Sequence, residues 1–260
     1  MGVVNVTPDS FSDGGRYLQA QAAIAHGLAL VQAGAELLDV GGESTRSGAA
    51  AVAPDEELRR VIPVIEGLKG AGVPISIDTS KAQVATAAVE AGAVLVNDVT
   101  ALQGDPAMGE TVARLGVPVC LMHMQGTPRT MQAQPRYGDV VAEVRAALAQ
   151  AVARAKAAGI AGDRILVDPG IGFGKTFEHN WALLKHLGRL RELGAPIVLG
   201  TSRKAFLGAI TGREKPEDRA VATAATVAVA ASQGTADVFR VHDVAAARDA
   251  VAVGHALRTA

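Results

Sequence analysis

The chain has 260 residues, 49% hydrophobic and 20% charged, enough to bury a sizeable core. Its 25 basic and 26 acidic residues leave a formal net charge of −1, which excludes a whole-protein basic footprint for nucleic acid or an anionic membrane. A single cysteine, Cys120, excludes an intramolecular disulfide and, set in the apolar run 117–122, reads as an inert buried thiol.

The first predicted strand, 1–6, contains Met1 itself, so a natural segment ahead of it is expected to be missing. It runs into "NVTPDSFSDGG" at 5–15, far longer than the two residues a hairpin needs. A helical pattern at 18–33 leads to a strand at 36–40 carrying Asp39 and continuing into "GGESTRSG". Helix 55–70 precedes a strand at 74–77 that ends at Asp78; helix 82–92 precedes 94–96, which ends at Asn97 and Asp98. Helix 106–115 leads to 118–122, with Met122 and His123 at its end, and helix 140–159 leads to 164–167, with Asp168 and "DPGIGFGKT" beyond. Helix 179–194, a strand at 196–199 followed by "GTSRK", helix 217–234, a strand at 237–241 followed by His242, and helix 244–257 complete the alternation.

Several helix-to-strand links repeat one signature, "AGVP", "LGVP" or "LGAP", in which glycine accepts a left-handed C-cap and proline stops the helix. Eight strand–helix units with near-continuous apolar strands predict an α/β fold, a (β/α)8 TIM barrel forming a single domain over 1–260. The stretch 220–232 is too short and too rich in small residues to span a membrane, and no signal peptide is read, so the expected compartment is the cytoplasm.

Chemistry in such a barrel gathers at the C-terminal strand ends. There the sequence sets a polar ring that packing alone does not require, although any one member could instead pair with a neighbour or cap a helix. Asp78, Asn97 and Asp168 are acceptor-rich and suit a flat heterocycle with several N–H donors, with Lys204 able to donate to a ring carbonyl. Arg46, Arg203, Arg240 and His242, together with glycines and backbone N–H groups in "GGEST" and "GTSRK", suit phosphate or carboxylate. "GIGFG" lacks Walker spacing, and the helical histidines His26, His179, His186 and His255 read as surface or packing residues. No zinc-type ligand spacing occurs, whereas Mg²⁺ needs only one amide or carboxylate besides substrate phosphate and water.

"NVTPDSFSDGG", "DVGGESTR", "SIDTSK", "VNDVTA", "MHMQGTPRTMQ", "DPGIGFGKT", "GTSRKAFLG" and "RVHDV", in this order, closely resemble the dihydropteroate synthase family of the bacterial folate pathway. The resemblance implies condensation of 6-hydroxymethyl-7,8-dihydropterin pyrophosphate with p-aminobenzoate, giving 7,8-dihydropteroate and pyrophosphate, with Mg²⁺ assisting in a homodimer. By position it makes Asn5 the metal contact and Asp78, Asn97, Asp168 and Lys204 the pterin set, with Asp39 and Met122 also in the bowl. Thr45, Arg240 and His242 fall to the pyrophosphate end, Gly200 and Ser202 to the p-aminobenzoate carboxylate, and Phe173 and Phe11 to the aromatic walls, with Arg46 also expected to bind substrate. Loops 7–15 and 44–51 would close over the site.

One departure stands out: the second loop reads Ser-Thr-Arg-Ser-Gly where the bacterial family has Ser-Thr-Arg-Pro-Gly, so a floppier loop and weaker sulfonamide binding are expected from Ser47. Two rival readings, a pterin-binding methyltransferase barrel and a non-catalytic pterin-binding paralogue, share the acceptor ring but release no pyrophosphate.

Overall fold

The structure is a computed structural model that describes residues 1–7 and 16–260, with side chains in the first helix described from 19 onward. Among the described residues eight parallel strands alternate with helices: β1 (Gly2–Asn5), α1 (Arg16–Gln32), β2 (Leu38–Gly41), α2 (Pro54–Leu68), β3 (Ile75–Asp78), α3 (Ala82–Ala91), β4 (Leu95–Asp98) and α4 (Met108–Leu115). The series continues with β5 (Val119–Met122), α5 (Val140–Ala157), β6 (Ile165–Asp168), α6 (Phe177–Lys185), β7 (Val198–Leu199), α7 (Ala205–Thr211), α8 (Ala220–Gln233), β8 (Val238–Phe239) and α9 (Val244–Thr259).

Strands β1 to β6 form one continuous parallel sheet, and β7 pairs with β8. Single bridges join the two pieces into a closed barrel, Val167 to Ile197 on one side and Gly2 to Val241 on the other. The second seam is held by Val3 N–H donating to Val241 O at 3.0 Å and Val241 N–H donating to Met1 O at 2.9 Å. The TIM-barrel reading therefore holds. Strands are short, and β2, β3, β4 and β5 are buried along their whole length. Burial on both faces is why their sequences read as apolar runs rather than alternations.

Helix ends follow local chemistry. Pro54 opens α2, and Asp55, Glu56 and Glu57 fill its first turn, where the helix dipole favours negative charge. Asp139 caps α5 by accepting the N–H groups of Val141 and Ala142 at 3.0 Å each. Thr176 and His179 form a reciprocal capping box on α6. The expected glycine C-caps appear at Gly116 and Gly194, both at φ 67°.

Two expectations are corrected. The predicted helix 179–194 is two pieces, α6 and a 3-10 segment Leu187–Leu193, because the chain leaves helical geometry at His186. Helix α7 was not expected; its seven residues lie between "GTSRK" and the next strong helical pattern. Of these additions, α7 bears on the site, since it starts directly after Lys204.

Candidate active site

The C-terminal strand ends surround one open-mouthed cavity. Asp78, Asn97 and Asp168 bring acceptor oxygens to it from β3, β4 and β6, with Met122 from β5 beside them. Thr45, Gly200, Ser202, Lys204, Arg240 and His242 face the same space from the loops after β2, β7 and β8, and Phe173 supplies an aromatic wall. Val99 and Ile171 also line it; nothing in their sequence context singles out these apolar residues.

Arg240 organises the floor. Its Nε donates to Asp39 Oδ2 at 2.6 Å and its Nη2 to Asp78 Oδ2 at 2.8 Å, while Asn97 Nδ2 donates to the same Asp39 oxygen at 3.1 Å. Asp39 is fully buried and acts on the cavity only through these two neighbours. Its Oδ1, and the Oγ of Ser76 opposite it in the β2–β3 register, have no hydrogen-bond partner among the described residues.

Burial pushes the Asp78 carboxyl up to about 8 against the opposing pull of Arg240. Asp168 is raised by burial too, although its Oδ1 accepts the Gly170 N–H at 2.6 Å and Lys204 draws it the other way. Burial lowers Lys204 to about 8. Its ammonium lies 4.1 Å from the centre of the Phe173 ring and donates to Ile171 O at 2.6 Å. Burial opposes the charge of Arg240, yet Asp39 and Asp78 carry its pKa above the ordinary guanidinium value.

Ser202 Oγ accepts the backbone N–H of His242 at 3.0 Å and lies 2.9 Å from its Nδ1. Burial, with Arg240 and Arg203 adding to it, lowers His242 to about 4, so the ring is neutral at neutral pH. Arg203 adopts the left-handed conformation, φ 59°, between Ser202 and Lys204, both of which line the cavity. Its own guanidinium is engaged by Asp243 at 2.9 and 2.6 Å and does not line the cavity.

The glycine-rich segment after β6 is a close-packing device. A Cβ on Gly170, at φ +64°, would sit 1.9 Å from His123 O, and one on Gly174, at φ +63°, 2.6 Å from Gln125 O. Lys175 follows, 2% exposed, its Nζ 2.9 Å from His123 Nδ1 and donating to Phe173 O at 2.9 Å. Burial lowers this lysine to about 7 and, with Lys175 adjacent, lowers His123 to about 3. Tyr137 O–H donates to Gly174 O at 2.8 Å.

Some expected residues stand elsewhere. Arg46 is exposed and outside the cavity lining, although Thr45 beside it faces in. Asn5 ends β1 opposite Gly41, half-buried, and is not among the lining residues. Phe11 and most of the first loop lie outside the described residues. Asp98, which the sequence placed in the polar ring, is spent on its own loop, accepting Thr100 N–H, Thr100 O–H and Leu102 N–H at 2.7–2.8 Å.

No group of three or more His, Cys, Asp or Glu suited to a metal occurs among the described residues. The donor chemistry at Asn5 fits magnesium as an ion that takes one amide oxygen and completes its shell with phosphate and water.

The sequence profile described as "Pterin binding enzyme" matches residues 1–242. The dihydropteroate synthase of Mycobacterium leprae is 50% identical over 260 residues, spanning 97% of this chain and 91% of its own length. The Xanthomonas albilineans dihydropteroate synthase solved with 4-aminobenzoic acid superposes with a TM-score of 0.93 at 53% identity, covering 100% of this chain and 92% of that one. The same bacterium's enzyme in complex with 7,8-dihydropteroate gives 0.89 at 50% identity, covering 100% and 93%.

Proposed function

The chain belongs to the pterin-binding enzyme family, and we propose that it works as a dihydropteroate synthase, a transferase of folate biosynthesis. It joins 6-hydroxymethyl-7,8-dihydropterin pyrophosphate to p-aminobenzoate, releasing pyrophosphate and giving 7,8-dihydropteroate. The observation that carries this reading is the opposition, within one cavity, of Asp78, Asn97 and Asp168 to Lys204, Arg240 and His242. Acceptors suit the amino and ring N–H edge of a pterin and Lys204 its carbonyl, while the Arg240 guanidinium and the neutral His242 ring, as an N–H donor, suit the pyrophosphate it carries.

The bond between the exocyclic methylene and pyrophosphate oxygen breaks with its electron pair leaving on oxygen, and the electron-rich ring spreads the positive charge left on carbon. The arylamine nitrogen then donates its lone pair to that carbon and loses a proton. No protein nucleophile is needed; Asp78, Asn97 and Asp168 hold the ring, Lys204 donates to its carbonyl, and Arg240 and His242 favour departure of the anion. Ser202 and the backbone beyond Gly200 serve the p-aminobenzoate carboxylate, with Phe173 along its ring. Loop 44–51 limits water that would capture the cation. Asn5 is the chain's donor to a magnesium ion, which when bound neutralises charge on the leaving pyrophosphate.

A homodimer fits the apolar residues left on the outer helices: Val221, Val229, Val253 and Leu257 on α8 and α9 are each more than half exposed. The test of function is chromatographic. Purified protein given both substrates and Mg²⁺ should form 7,8-dihydropteroate in step with pyrophosphate, and omission of p-aminobenzoate should abolish both. A methyl-transferring barrel or a non-catalytic binder would form neither.

A further inference from the structure

Loop 44–51 contributes Thr45 to the cavity and rests on the β5–α5 connection, where Gly48 N–H donates to Pro128 O at 3.1 Å. One carboxylate closes its base: Glu43, just before the loop, accepts through Oε2 the N–H of Val52, just after it, at 3.1 Å. The same oxygen accepts from Lys81 Nζ, and that ammonium also donates to Oε2 of Glu57 on α2. Lys81 lies three residues beyond Asp78, so the segment carrying a ring-binding carboxylate also carries the grip on the loop.

This arrangement is poor as a staple alone. Glu57 is fully buried, its Oε1 has no partner among the described residues, and two carboxylates share one ammonium. Apolar side chains of the same volume would join α2 to α3 at lower desolvation cost. What apolar residues could not do is hold Glu43 where its second role, accepting Val52 N–H, closes the loop. Burial lowers the Lys81 pKa, but its hydrogen bonds to Glu43 and Glu57 outweigh that and raise it, so the ammonium stays charged.

We propose that Lys81 is a positioning residue for the reaction: anchored on buried Glu57, it grips Glu43 and so holds loop 44–51 against the cation-bearing end of the cavity. Its kinetic consequence rests on the reading of the pterin pyrophosphate as the substrate bound at that end. Its structural consequence does not.

The test separates the two roles with a pair of variants. Lys81→Met leaves Glu57 buried and uncompensated, and Tm should fall by about 10 °C. Lys81→Met/Glu57→Met removes both charges, and Tm should return to near the wild-type value. In this double variant, amide hydrogen exchange over 44–52 should remain about tenfold faster than in the wild type. The KM for the pterin pyrophosphate should remain about tenfold raised, because Thr45 is the loop residue that faces the cavity, with the KM for p-aminobenzoate within about twofold. Return of loop exchange and of the pterin pyrophosphate KM together with Tm would overturn the proposal, because Lys81 would then be structural only. If the wild type released no pyrophosphate, the functional reading would fall, and the exchange rates of the double variant would still decide the anchor.

Discussion

Arg240 Nε meets Asp39 Oδ2 at 2.6 Å across 201 positions of sequence, directly below the cavity. The contact exists because the barrel closes β8 against β1 and so brings the last strand within reach of β2. Through its other arm Arg240 holds Asp78 at 2.8 Å, so one guanidinium fixes two buried carboxylates in a fork that an ammonium cannot reproduce. Arg240→Lys, which preserves charge and loses the fork, should lower kcat/KM by about 100-fold, near 3 kcal/mol. Steady-state kinetics on a variant of near-native Tm checks this, and unchanged kcat/KM would show that charge alone suffices.

His242 carries a pH signature. Its folded pKa, about 4, lies below the ordinary value of 6.5, so between those values the unfolded chain binds a proton that the folded chain refuses. The stability it contributes is present above pH 6.5 and is lost as pH falls toward 4. His123, lowered to about 3, acts in the same direction, while Asp78, raised to about 8, loses its contribution as pH rises instead. Comparison with His242→Asn subtracts those other groups. The Tm of the wild type relative to this variant should fall between pH 7 and pH 4; a constant difference would count against a neutral, buried ring.

Gly170 is packed against backbone, with φ at +64° and room for an added methyl only 1.9 Å from His123 O. Gly170→Ala should cost about 3 kcal/mol or more, since neither the conformation nor the backbone oxygen can yield cheaply. Gly188→Ala, whose methyl would meet only Thr235 Cγ2 at 3.5 Å, should stay within about 1 kcal/mol. Denaturant unfolding of the two variants measures the contrast, and equal losses would contradict the packing account of the glycine-rich segment.

Ser47 occupies the second position of a turn closed by Ala49 N–H donating to Arg46 O at 3.1 Å, with Gly48 third at φ +82°. That is type II geometry, in which proline is favoured at the second position. Ser47→Pro should stabilise the protein by up to about 1 kcal/mol by restricting the unfolded chain, and should tighten sulfonamide inhibition more than it changes the KM for p-aminobenzoate. Unchanged inhibition constants would remove Ser47 as a determinant.

Periodicity located all eight strands, because strands buried on both faces carry uninterrupted apolar runs and their polar ends stand out against them. It missed α7, seven residues with Gly208 inside; that glycine is needed where a Cβ would lie 2.4 Å from Arg213 O, a contact invisible in sequence. Strand-end position led to Asp78, Asn97, Asp168, Arg240 and His242, which the fold brings to one cavity. The same rule could not see that Asp39 sits one layer lower, or that Asp98 is consumed by its own loop. Lys81 and Lys175 passed unremarked for a physical reason: a lysine reads as solvated until the carboxylates or carbonyls that surround it are known.

The most direct test of the proposed activity is pyrophosphate release from the pterin pyrophosphate in the presence of Mg²⁺, with and without p-aminobenzoate, for the wild type, Asp168→Asn and Lys204→Ala. Release should require p-aminobenzoate and fall by about 100-fold or more in both folded variants, since each loses a group proposed to hold the ring. Wild-type protein that binds the pterin yet releases nothing, or variants that turn over at the wild-type rate, would contradict it.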